Sequence, residues 1–256
     1  MSRRHHPTFV PTDGDHALAA ALGPKAAWLP TDDGVWAVSG PLWPTPAFAL
    51  MQAVWDYDPR QAHARLRRRI RTSAPVTPLD HAAAQVAAKR VAYVPPGQGT
   101  PPPVVDLTSV ARTAAGRWSE ALVPASSRLD DPTRLDGWLD APVGPLATRD
   151  RPLLAAVVDA DGAVLLAARN TAGTNRTRHA EVNLVAAWAA RTGGPLPPGA
   201  RVVCTLRPCR MCAAMLLHGH AGGLDVVFLH DDPGRLAQGT ALDGIARRHP
   251  PPGGPG

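Results

Sequence analysis

The sequence predicts an α/β sandwich preceded by a small α+β unit, and three observations predict it. Between residues 153 and 229, apolar runs and amphipathic segments follow one another in the order β-β-α-β-α-β. The last two of these strands flank a helix through short links, a βαβ crossover that makes them parallel. A Pro/Gly-rich stretch, Pro95 to Pro103, has the composition of a semi-rigid linker and sets the sandwich apart from a tryptophan-bearing first unit. The boundaries are therefore a first unit at 1–94, a linker at 95–103, the sandwich unit at 104–248 and a Pro/Gly tail at 249–256. The tail reads as disordered.

In the first unit, Asp32-Asp33-Gly34 lies between Trp28 and Trp36 and predicts a turn of hairpin type. The tryptophans, including Trp43 and Trp55, belong to a core, since large aromatics dominate small cores. Two helices are expected next, Pro59 to Arg71 and Pro78 to Ala92. The second has Thr77 as N-cap and Pro78 at its first position. The first carries Arg65, Arg67, Arg68 and Arg69, the densest positive run in the chain. Such a run is either a solvated helix face or a phosphate-binding surface.

In the second unit, Leu153 to Val158 and Ala163 to Ala168 form a hairpin around Asp159-Ala160-Asp161-Gly162. Asn170 to Arg178 is a polar loop. A helix runs from Glu181 to Arg191 and stops at Gly193-Gly194. Arg201 to Leu206 is a buried strand, a helix opens at Pro208, and Asp225 to Leu229 is the next strand. Asp231 to Arg248 reads as turn and short helix, so no fifth strand is expected there.

Composition narrows the function. The chain has 256 residues, 45% of them hydrophobic, which excludes wholesale disorder. No apolar run approaches the ~20 residues of a membrane span, and no apolar segment follows the basic N-terminal residues as a secretory signal requires. Three cysteines exclude a disulfide scaffold, and a reducing cytoplasm is the expected compartment. The net charge of +6 suits a polyanionic partner. Only Lys25 and Lys89 are lysines, however, and genome-wide composition produces the same bias, so charge alone names no partner.

Two short motifs carry chemistry. His179-Ala180-Glu181 and Pro208-Cys209-Arg210-Met211-Cys212 open the two helices of the second unit. A C-x-x-C at a helix start brings both sulfurs within reach of one ion, and zinc favours thiolate and imidazole donors. His179 becomes a third ligand if the two helix starts lie side by side. Three protein ligands leave a fourth position for water, as in catalytic zinc sites. Glu181, two residues after the histidine, is the candidate proton carrier. Alone, the C-x-x-C could equally be a structural half-site or a redox pair.

Taken together, H-A-E followed by P-C-x-x-C resembles the zinc-dependent cytidine and deoxycytidylate deaminase superfamily. Thr205-Leu206-Arg207-Pro208-Cys209 resembles the tRNA adenosine deaminase branch, and His179-Ala180-Glu181-Val182-Asn183 the deoxycytidylate branch. The layout resembles bacterial nucleic-acid deaminases with an extra N-terminal globular domain. The resemblance implies a three-layer sandwich whose mixed sheet has a parallel βαβ end. It implies one Zn2+ per chain on His179, Cys209 and Cys212, with Glu181 as proton shuttle. It further implies that Asn170 contacts the sugar and that the Ala180 backbone N–H holds the base. Arg207 stands where the tRNA branch commonly has glutamate and adds positive charge beside the site.

The expected reaction is hydrolytic deamination of a nucleobase. The leading reading is cytosine to uracil within a nucleic acid, DNA or RNA, with the base single-stranded or flipped out. The alternatives are adenine to inosine in RNA or tRNA, and a free nucleoside or nucleotide. Arg65, Arg67, Arg68, Arg69 and Arg207 are the candidate phosphate contacts.

Overall fold

Two helices of the first unit start from one carboxylate. Helix α1 spans Asp13–Leu22, strand β1 Ala26–Thr31 and strand β2 Gly34–Ser39. They are followed by helix α2, Pro46–Tyr57, the short helix α3, Ala62–Arg65, strand β3, Arg69–Thr72, and helix α4, Pro78–Ala87. Thr77 and Asp80 close a capping box on α4. The other oxygen of Asp80 accepts a hydrogen bond from Thr45, the N-cap of α2. Both helices begin with proline at the first position, as the sequence predicts for α4. This computed structural model describes residues 9–123, 128–138, 151–173 and 175–250, without the side chains of 114–116.

Strand β4 is Arg90–Tyr93, β5 is Val104–Asp106 and helix α5 is Thr108–Gly116. The first sheet has the order β4-β3-β1-β2-β5. The β1–β2 pair is the antiparallel hairpin expected around Asp32-Asp33, with Thr31 opposite Gly34. Three expectations are corrected. The arginine-rich helix reaches only Arg65, and Arg69–Thr72 is a strand. Its residues alternate half-buried and buried around Ile70, which is the period of a strand and not of a helix. The helix from Pro78 ends at Ala87, and Arg90–Tyr93 pairs parallel with β3.

The third correction concerns the linker. Residues 95–99 lie against α1, with the Gly97 N–H donating to the His16 carbonyl at 3.0 Å and His16 Nδ1 at 2.8 Å from the Pro95 carbonyl. Beyond it, β5 pairs parallel with β2, and Leu107 N–H donates to the Ala37 carbonyl at 2.7 Å. The first sheet thus takes its fifth strand from residues 104–106, past the Pro/Gly stretch. Local composition cannot reveal a strand that returns to an existing sheet edge.

The second unit holds β6, Leu154–Val158, β7, Val164–Arg169, helix α6, Ala180–Thr192, β8, Arg201–Leu206, helix α7, Arg210–His218, and β9, Asp225–His230. The hairpin and the parallel β8-α7-β9 crossover form as the pattern predicts. A fifth strand, β10, Ala246–Arg248, pairs parallel with β9, so the sheet order is β10-β9-β8-β6-β7. The sequence Ala-Arg-Arg carries no apolar signal for a strand. What holds it at the edge is the ladder itself plus ion pairs from Arg247 to Asp225 and from Arg248 to Asp231. The tail starts bonded, since His249 N–H donates to the Phe228 carbonyl at 2.8 Å; residues 251–256 lie outside the described residues.

The sheets share one core. Ala27, Leu29, Trp36 and Val38 from the first sheet and Ala155, Val157, Val202 and Cys204 from the second belong to one buried cluster with residues of α2, α4, α6 and α7. The alternate residues face outward. Trp28, Val35 and Ala37 meet α1, while Leu154, Ala156 and Val158 meet the 3-10 segment Pro132–Trp138. Helices therefore fill the space between two mixed sheets, and α4 packs directly on α7. The first unit is built into the sandwich through this common layer. Among the described residues no helix is long and apolar enough to cross a membrane.

Candidate active site

The two motifs meet because each occupies the start of a helix at the same sheet edge. His179 is the N-cap residue of α6 and Cys209 that of α7, each with extended backbone. Cys212 lies one turn into α7. The three donor atoms are mutually close: Cys209 Sγ to Cys212 Sγ is 3.5 Å, Cys212 Sγ to His179 Nδ1 is 3.4 Å, and Cys209 Sγ to His179 Nδ1 is 3.6 Å. A tetrahedral zinc with Zn–S of ~2.3 Å and Zn–N of ~2.0–2.1 Å sets such donors about 3.5–3.8 Å apart. The donor set and its spacing fit that ion.

The electrostatics fit as well. Hydrogen bonding from Cys212, helped by the adjacent His179, holds the Cys209 thiol well below its usual pKa, the state a metal ligand needs. Burial, with the thiolate beside it, pushes Cys212 up. Cys204, mid-strand in β8, is core and is raised by burial. Glu181 is buried in the first turn of α6, beside the same cysteines. Burial raises its carboxyl, with the Cys209 charge adding to the shift. A carboxyl whose pKa is raised holds a proton more readily than a free one, which suits a group that takes and gives one.

A cleft of about 270 Å3 opens over these groups, lined by His179, Glu181 and Cys209 together with Asn170, Ala180 and Arg207. That volume sits just below the ~300 Å3 at which small-ligand pockets begin, room for one small ring system. Asn170 follows the end of β7 and donates from Nδ2 to the Arg151 carbonyl at 3.1 Å. Ala180 is the first residue of α6 and is buried. Arg207 donates to Asp243 at 2.9 Å and lies 5.8 Å from the Phe228 ring. Seven of the sequence candidates thus converge on one place.

The arginine run does not line this cleft. Arg65 pairs with Asp33 and Asp58 and covers the Trp36 ring at 4.3 Å. Arg68 pairs with Asp32. Arg67 is exposed, and Arg69 lies in strand β3 over Phe9. The nearby aspartates that absorb Arg65 and Arg68 come from the β1–β2 turn and the end of α2, neighbours that only the fold supplies.

Sequence reasoning missed several cleft residues. Arg151, Arg176 and Asp232 lie on its walls, and Arg151 approaches Asp232 at 3.8 Å. Val86 of α4 also lines the cleft, so the first unit forms part of the wall. More is carried by the loop before α6. Asp56, in the last turn of α2, accepts from Asn175 Nδ2 at 3.1 Å and from Arg178 Nη2 at 2.7 Å. Gln52 adds its carbonyl to Asn175, and Arg176 covers Trp55 at 5.6 Å. From the other side, Asn183 Nδ2 reaches the carbonyls of Arg169 and Arg178 and the hydroxyl of Thr171. The residue before His179 is therefore fixed by the first unit.

The second half-site is held the same way. Arg210, directly after Cys209, donates to Gln85 of α4 at 3.0 Å and to the Gln238 carbonyl at 3.2 Å. One helix of the first unit, α2 or α4, thus touches each of the two motifs or the residue beside it. No spacing signal in the sequence could have shown this, since the partners lie more than 120 residues apart along the chain.

Residues 145–250 match the family model of the Bd3614-like deaminases. A search among curated proteins finds no match. Among solved structures, one from a study of A-to-I editing by tRNA:A34 deaminases is 28% identical over 36% of this chain and 66% of its own, with a TM-score of 0.29. A guanine deaminase from Nitrosomonas europaea is 16% identical, covering 52% of this chain and 82% of its own, with a TM-score of 0.36.

Proposed function

We propose that this chain, whose second unit is a domain of the cytidine deaminase-like superfamily, is a zinc-dependent hydrolase that deaminates cytosine to uracil within a single-stranded or flipped-out nucleic acid. The observation that carries the chemistry is the His179, Cys209 and Cys212 triad with buried Glu181 at the floor of one cleft. His179, Cys209 and Cys212 would hold the metal, which supplies an acidified water as nucleophile. Glu181 takes the nucleophile's proton on its carboxylate and delivers it to the ring nitrogen next to the attacked carbon. It then takes the proton of the added hydroxyl, whose oxygen becomes the product carbonyl, and gives it to the amine as the C–N bond breaks and ammonia leaves. Ala180 and Asn170 both line the cleft, which supports the reading that the Ala180 N–H holds the base and Asn170 contacts the sugar.

The cleft admits a single base, and three arginines, Arg151, Arg176 and Arg207, stand on its walls against two carboxylates, Glu181 and Asp232. That balance favours a substrate carrying phosphate. Cytosine is the reading supported by the His179 to Asn183 segment, which resembles the deoxycytidylate branch. The test is mass spectrometry of single-stranded DNA, duplex DNA, RNA and free cytidine and adenosine after incubation, with Glu181→Ala as control. Uracil in a polymer, absent with Glu181→Ala, is the expected result. Inosine in RNA would move the reading to adenine, and activity confined to free nucleosides would overturn the polymer substrate.

A further inference from the structure

A second recess lies on the other side of α4 from the cleft. It is about 340 Å3, and its rim carries Arg69 of β3, Arg90 of β4, Lys89 just before β4, and His81 and Gln85 of α4. The parallel register of β3 and β4 sets Arg69 directly beside Arg90. Like charges side by side on neighbouring strands oppose folding. Burial and the Arg90 charge both pull the Arg69 guanidinium down.

The arginines nearby are treated differently. Arg65, Arg68 and Arg71 each meet an aspartate. Among the described residues no carboxylate stands within ion-pair distance of Arg69, Lys89 or Arg90. Three cations gathered in one groove without an internal counter-charge await an external one. Phe9 adds an aromatic ring to the groove, 4.5 Å from the Arg69 guanidinium. Basic groove plus aromatic ring is the composition of surfaces that bind single-stranded nucleic acid.

Position ties the groove to the site. His81, Ala84 and Gln85 share one face of α4 and line the groove, while Val86, ~100° further round, lines the cleft. Gln85 also bonds Arg210, inside the C-x-x-C motif. A helix with side chains is about 10–12 Å across, so one strand spanning a few nucleotides can touch both recesses.

We propose that the groove formed by Arg69, Lys89, Arg90 and Phe9 binds the phosphodiester backbone of a single-stranded nucleic acid whose target base enters the neighbouring cleft. This rests on the polymer-substrate reading above and moves the phosphate contacts from Arg65, Arg67 and Arg68 to the far side of the arginine run.

The test measures fluorescence anisotropy of labelled single-stranded DNA and RNA oligonucleotides on the full chain across a salt series. Turnover is silenced by Glu181→Ala. Lys89→Gln with Arg90→Gln is compared with Arg67→Gln plus Arg68→Gln. Lys89→Glu alone, at an exposed position, guards against misfolding. The expected result is at least tenfold weaker binding for the first pair and for Lys89→Glu. The slope of log K against log salt should shrink by roughly 0.7 for each phosphate that the groove no longer neutralises. The second pair should bind as the parent does. An unchanged slope with the first pair, or no oligonucleotide binding by the parent, would overturn the groove. Deamination is read separately in the Glu181 background. Weakened binding in the groove variants with activity confined to free nucleosides keeps the groove and overturns the polymer substrate. Polymer deamination with unaltered binding does the reverse. Inorganic phosphate and free cytidine monophosphate serve as competitors; displacement by either at micromolar levels would make this a mononucleotide site and overturn the polymer assignment.

Discussion

Replacing Asp56 by alanine should destabilise the whole protein and disturb the proposed metal site from the opposite unit. Asp56 and Arg178 form an ion pair at 2.7 Å with side chains only 11% and 8% exposed. Removing one partner of a buried pair costs about 3–5 kcal/mol, because the remaining charge stays desolvated. For a chain of this size each kcal/mol moves Tm by roughly 2–4 °C, so Asp56→Ala should lower Tm by about 6–20 °C. Asn175, fully buried, loses the same acceptor. Since Arg178 precedes His179, kcat should fall at least tenfold; a displacement of about 1 Å at a reacting group can cost 10²-fold. Replacing both partners, Asp56→Ala with Arg178→Met, should recover most of the Tm, since no buried charge is then left alone. The assay is a thermal scan of the three variants with metal content and kcat measured in parallel. A Tm shift below about 3 °C for Asp56→Ala would refute the reasoning, as would a double variant less stable than the single one.

Three further outcomes are expected. Purified protein should hold about one zinc per chain, and exhaustive chelation should lower Tm as well as abolish activity, because the ligands join two helix starts in the core; elemental analysis and a thermal scan check both. Gly219→Ala should cost about 1–3 kcal/mol, since a Cβ there would lie 2.1 Å from Val185 Cγ1, where α7 ends against α6; chemical denaturation measures it. Hydrogen bonds from Arg201 and Arg247, outweighing burial, hold Asp225 below the usual carboxylate range. Its pairs therefore stabilise above the unfolded pKa of ~3.9 and are lost as pH falls through the folded value. Asp225→Asn should thus lower Tm at pH 7, and the difference from the parent should shrink as pH falls below ~3.9 and through the folded value.

The chemistry of this protein is written locally. His179, Glu181, Cys209 and Cys212 are visible in the sequence because each motif needs only the few residues around a helix start. The elements around them are also local, set by an apolar period of two or of 3.6 and by Thr77-Pro78 at a helix entry. Strands whose signal is not local escape. Arg69–Thr72 reads as helix until Ile70 is seen to face a sheet. Val104–Asp106 hides behind prolines, and Ala246–Arg248 has no apolar run at all. Each is a strand because a neighbour offers an open edge, and backbone hydrogen bonding to that edge outweighs weak propensity.

The relation between the two units was likewise decided only in three dimensions. The sequence marks a Pro/Gly stretch at 95–103, and composition alone makes that a divider. The fold instead lays it against α1 and places one layer of helices between both sheets. In that layer Asp56 meets Arg178, Gln85 meets Arg210, and Val86 joins the cleft wall. Charge shows the same limit: the arginine run is legible as positive, but which arginines keep their charge available depends on aspartates brought in from other elements. The sequence by itself determined which side chains are the candidates to bind a metal and move a proton. Tertiary structure decided what holds them in place, because ion pairs and shared cores join residues that the chain keeps far apart.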